Sequence, residues 1–109
     1  MIFRFRVQGS VDEPYDIAIE RVGDSLRASC TCAAGQNGQY CKHRMSLLQG
    51  SIQGVVSGDL EAIPRLPALL DGSDVAAALG RLAESERQLE QAKRAVSAAK
   101  RAIAQALRS

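Results

Sequence analysis

Four soft metal donors crowded into one short stretch constrain this chain more than anything else in it. The stretch reads Cys30-Thr31-Cys32, eight intervening residues, then Cys41-Lys42-His43. It holds all three cysteines and the only histidine of the 109 residues. A tetrahedral structural zinc takes four Cys or His ligands, and three Cys with one His is a common set. Residues two apart on a strand face the same way. Cys30 and Cys32, at the end of an extended run, can therefore offer two sulfurs to one ion. On a regular helix, residues two apart point roughly 200° apart at 3.6 residues per turn. Cys41 and His43 therefore converge only if Cys41 precedes a helix and His43 enters its first turn. A glycine-containing loop over residues 33–40 lets the second pair fold back on the first.

Other uses of these residues are open at this point. A Cys30–Cys32 disulfide would close a tiny strained ring and leave Cys41 and His43 without a role. A Cys41/His43 nucleophilic pair would need a third group to orient it, and the sequence offers no obvious one. Cys30 as an ordinary small core residue is a further alternative. Under the zinc reading, four protein ligands fill the coordination sphere, which is the structural rather than the catalytic arrangement. No enzyme activity and no small-molecule substrate are expected. An odd number of cysteines forms no closed disulfide set, and the start lacks the apolar run of a secretory signal. The expected compartment is the cytoplasm, where thiols stay reduced.

The residues before the donors alternate. Phe3, Phe5 and Val7 interleave with Arg4, Arg6 and Gln8; Tyr15, Ile17 and Ile19 with Asp16, Ala18 and Glu20; Leu26, Ala28 and Cys30 with Arg27 and Ser29. Period two with one apolar side marks half-buried strands. Gly23 and Asp24 suit a tight hairpin turn between the second and third runs. The spacing thus predicts a three-stranded antiparallel meander. A helix follows from near Cys41, with Gly50 as its stop. Residues 51–58 suggest no element. Asp59 reads as the cap of a short helix through Leu60, Ile63, Leu66 and Leu70, made irregular by Pro64 and Pro67. Only 4% of residues are aromatic, thin for a core. Coupled zinc binding supplies an apparent ~10–16 kcal/mol in small metal-dependent domains, so metal is expected to hold this half together.

Cys-x-Cys-x8-Cys-x-His, preceded by strands and followed by an apolar helical segment at Met45, Leu47 and Leu48, resembles the SWIM-type zinc finger over roughly residues 13–50. Ala33 stands where many members have Pro, which bears on the loop and not on ligation. The resemblance implies that Cys30, Cys32, Cys41 and His43 ligate one structural zinc. It also implies binding to DNA or to proteins.

From Val75 to Arg108 there is no proline, and the pattern predicts one helix of about 34 residues. Leu82, Leu89, Val96 and Ile103 recur every seven residues. Ser85, Ala92, Ala99 and Ala106 take the other seam position of the heptad. This predicts self-association, most simply as a homodimer; the other reading is an amphipathic helix that folds back onto the chain's own sheet. Arg87, Arg94, Arg101 and Arg108 repeat at the same spacing on the outer face, flanked by Lys93 and Lys100. With Lys42 and Arg44 beside the donors, they are candidate nucleic-acid contacts; the other reading is a solvated face. A net charge of +2 is too small to announce a nucleic-acid binder. No apolar run is long enough to span a membrane.

The expected architecture is therefore α+β. Residues 1–50 form the zinc-binding module with three strands and a zinc-stapled helix. Residues 51–73 form a linker with a short helix, and residues 74–109 a long amphipathic, coiled-coil-like helix. The expected role is a homo-oligomeric protein-interaction adaptor, with DNA binding as the alternative.

Overall fold

The computed structural model describes residues 1–108; Ser109, the last residue of the expected helix, lies outside the described residues. The fold is α+β. Strands β1 (Ile2–Val7), β2 (Tyr15–Val22), β3 (Ser25–Cys30) and β4 (Val55–Gly58) form one sheet in the order β3-β2-β1-β4, every neighbour antiparallel. The meander expected from alternation is present, with Phe5 opposite Ile17 and Ile19 opposite Ala28.

The sheet has four strands and not the expected three. β4 arises from residues with no clear period, and it pairs with β1 through a register shift between Arg6 and Val7. Its side chains are almost all exposed. A strand that buries so little carries no alternation to read, and its place is set by backbone pairing and the turns around it.

The short helical segments between residues 42 and 70 pack on one face of the sheet. Phe5, Val7, Ile17, Ile19 and Leu26 of the sheet pack with Leu47 and Leu48 of α2 (Lys42–Leu48) and with Ala62, Ile63 and Leu66. The last three come from a 3-10 turn over Leu60–Arg65 and from α3 (Leu66–Leu70). Residues 51–73 thus supply a strand and part of the core. Pro64 lies inside the 3-10 turn and Pro67 at the start of α3, where a missing N–H costs least. Asp59 does not cap this segment as expected. Its carboxylate accepts the Arg4 N–H at 2.8 Å, and no side-chain cap bond forms. A competing donor on β1 takes the carboxylate, so the turn starts on backbone bonds alone.

Helix α2 stops where the sequence suggested. Gly50 takes φ +88°, Ser51 N donates to Ser46 O at 3.1 Å and Gly50 N to Leu47 O at 2.9 Å. This paired arrangement satisfies the last carbonyls and needs a left-handed residue at Gly50.

The outer edge of β3 is covered by side chains. The Asp74 carboxylate accepts the Leu26 N–H at 2.9 Å, and the Arg44 guanidinium donates to Ala28 O at 2.9 Å. Covering an edge in this way removes a template for unwanted strand pairing.

The chain divides into two compact units, residues 1–76 and 77–109. The boundary falls inside α4 (Asp74–Arg108), a continuous helix of 35 residues. Its first turn belongs to the first unit. Ser73 Oγ accepts the Ala76 N–H at 3.1 Å and donates to Leu70 O at 2.6 Å, capping the helix. Asp74 N donates to Asp24 O at 2.8 Å, which roots that first turn on the β2–β3 hairpin. Among the described residues of the second unit none is buried, and the seam residues Leu82, Leu89, Val96 and Ile103 are 42–62% exposed in the single chain. No described helix is long and apolar enough to cross a membrane.

Candidate metal centre

Each donor reaches the centre from a different local structure. Cys30 ends β3. Thr31 then ties the chain to β2: its N–H donates to Asp16 O at 3.2 Å, and its hydroxyl accepts the Asp16 N–H at 2.9 Å. Cys32, still extended at φ −65° and ψ 163°, caps α1 (Ala33–Gln36). Its sulfur accepts the Gly35 N–H at 3.3 Å. Cys41 is extended at φ −124° and ψ 113° immediately before α2, and His43 lies in the first turn of that helix. The two residues therefore escape the divergence that a regular helix would impose, as their spacing required.

The four ligand atoms lie within 4.8 Å of one another. Cys32 Sγ is 3.4 Å from Cys41 Sγ, and Cys41 Sγ is 3.6 Å from His43 Nδ1. A tetrahedron with Zn–S near 2.3 Å separates its sulfurs by about 3.8 Å, so the cluster has the size of a zinc coordination sphere. All three cysteines are buried and unpaired by disulfides, with His43 half-buried. Three thiols converging in a shielded site are a soft donor set suited to zinc. The disulfide alternative has no support here.

Protonation is divided within the cluster. Burial pushes the Cys30 thiol up to about 12. Burial acts on Cys41 as well, but the Arg44 N–H and the Cys32 and His43 side chains outweigh it and bring Cys41 down to about 6. Of the two thiols, Cys41 is thus the readier to ionise and Cys30 the more reluctant. A cation bound here would displace the Cys30 proton and supply the attraction that joins the two halves of the site.

The supporting residues were not singled out from sequence. A Cβ at Gly35 would meet Cys30 O at 2.3 Å, so only glycine lets α1 fold against the end of β3. A Cβ at Gly9 would meet the Tyr15 ring at 2.3 Å and His43 Nε2 at 3.2 Å. Tyr15 in turn lies against the His43 ring, with centroids 5.0 Å apart. The sequence signal for Gly35 was its place three residues after Cys32, where a backbone N–H can reach the sulfur. Gly9 and Tyr15 carry no local signal, because their contact joins a loop to a strand.

Residues 5–49 match the family model of the SWIM zinc finger. The matched span starts in β1 and reaches beyond the residues on which the sequence resemblance rested. The Cys30, Cys32, Cys41 and His43 cluster lies within that span and is consistent with the Cys-x-Cys-x8-Cys-x-His pattern. No curated protein and no solved structure matches the chain.

The remaining basic candidates divide. Arg44 is half-buried, its guanidinium donating to Ala28 O and, at 2.8 Å, to Gln39 O, so it braces the loop that leads into Cys41. Arg87 is paired with Glu84. Lys42, Lys93, Arg94, Lys100, Arg101 and Arg108 are exposed.

Proposed function

We propose that this chain is a non-catalytic zinc-binding module acting as a homo-oligomeric protein-interaction adaptor. Cys30, Cys32, Cys41 and His43 hold one structural zinc per chain. The metal makes the finger rigid enough to present a surface, and α4 brings copies of that surface together. The observation that carries this reading is the apolar seam of α4, exposed along its whole length in the single chain. A helix of this kind draws most of its stability from packing, and Leu82, Leu89, Val96 and Ile103 recur at the interval of a coiled-coil seam. Protein partners then bind the clustered fingers.

Sedimentation of the parent and of Val96→Asp tests the assembly. The parent is expected to run as a dimer. The aspartate, placed at the seam, is expected to weaken association at least a hundredfold, about 2.7 kcal/mol. A variant as large as the parent would remove the seam from the interface.

A second reading is DNA binding, favoured by one feature: beyond Glu90 the helix has no acidic residue, while Lys93, Arg94, Lys100, Arg101 and Arg108 follow. Retardation of duplex DNA at ~50 mM salt, lost in Arg94→Glu/Arg101→Glu, would establish it, since phosphate contacts are strongest at low salt.

A further inference from the structure

The seam of α4 carries information about direction as well as association. Resting on the self-association reading, we propose that two copies pair through α4 in antiparallel orientation, centred near Arg94.

Side-chain volume is the first argument. One seam position holds Leu82, Leu89, Val96 and Ile103; the other holds Ser85, Ala92, Ala99 and Ala106. In a parallel in-register pair, like faces like: layers of two large residues alternate with layers of two small ones. The large layers set the spacing of the two axes, and the small layers are left as voids that lose their contacts. Reversing one helix pairs each large residue with a small one. Centred on Arg94, Leu82 faces Ala106, Leu89 faces Ala99, Val96 faces Ala92 and Ile103 faces Ser85 of the second copy. Every layer then has similar volume, and one interaxial distance suits all of them.

Charge is the second argument. In the second unit Glu84, Glu86 and Glu90, with Arg81 and Arg87, leave the first half at a net charge of −1, while Lys93, Arg94, Lys100, Arg101 and Arg108 bring the second to +5. A parallel pair sets the two basic halves side by side. An antiparallel pair lays each acidic half against a basic half, with Glu86 beside Lys100 of the second copy, flanking the seam on both sides of the centre. Glu86 and Lys100 are exposed, whereas Glu84 is held by Arg87 and Gln88 of its own helix. Opposite charges across a seam set partner orientation.

Distances between spin labels decide the orientation. A keto-bearing phenylalanine placed at Ala83 or Ala104, both exposed and off the seam, takes a label without touching the cysteines. Antiparallel pairing predicts over about 30 Å between two labels at the same site, at 1.5 Å of rise per residue. A mixture of chains labelled at Ala83 with chains labelled at Ala104 should give a separation under about 20 Å. Short same-site distances with a long mixed distance would mean parallel pairing and overturn this inference while leaving self-association intact. No dipolar coupling in any sample, with a chain that sediments as a monomer, would overturn self-association itself and this inference with it.

Discussion

Residues 1–76 and 77–109 use apolar residues in opposite ways. In the first unit alternation turns Phe5, Ile17, Ile19 and Leu26 inward, and Leu47, Ile63 and Leu66 cover them to 5% exposure or less. In the second unit the heptad collects Leu82, Leu89, Val96 and Ile103 on one face and leaves them exposed. The first pattern closes on itself within one chain, beside the cluster of four ligand atoms. The second stays open in a single chain. Period two encodes a core here, and period seven encodes an exposed apolar seam.

Zinc removal should separate the two regions most sharply. A chelator is expected to abolish the cooperative transition of the first unit, because coupled zinc binding supplies an apparent ~10–16 kcal/mol in small metal-dependent domains. Under the proposed association, the helical circular dichroism of α4 should persist. Loss of both signals together would show that the second region depends on the first.

A single methyl group should act on the same contrast more mildly. Gly35→Ala drives a Cβ into the Cys30 carbonyl and should cost roughly 1–3 kcal/mol, with weaker zinc retention in a competition titration. The dimer constant should not change.

The smallest effect belongs to the root of α4. The Leu26 N–H, the Val75 N–H and Ser25 hold the Asp74 carboxyl below its ordinary range. A depressed carboxyl stabilises the fold above its unfolded value, and that contribution is lost as pH falls through the folded one. Asp74→Asn should therefore lower the thermal midpoint slightly at neutral pH. The difference from the parent should shrink as pH falls below the usual carboxylate range.

The donor set, three strands, the end of α2 at Gly50 and the extent of α4 were legible because each rests on local spacing. Cys41 and His43 show this best: two residues apart, they could share an ion only across a helix start. β4 was not legible, since its exposed side chains leave no period and pairing with β1 places it. Asp59 was misread as a helix cap because the Arg4 N–H, 55 positions away, competes for its carboxylate. Arg44 looked like a surface base, yet its guanidinium reaches carbonyls at Ala28 and Gln39. Each of these depends on contacts that no sequence window contains.

X-ray absorption at the zinc edge of the purified chain tests the metal centre most directly. One zinc per chain with three sulfurs near about 2.3 Å and one nitrogen near about 2.0–2.1 Å is the predicted result. A shell of oxygen and nitrogen alone, or an ordered chain that carries no zinc, would contradict it.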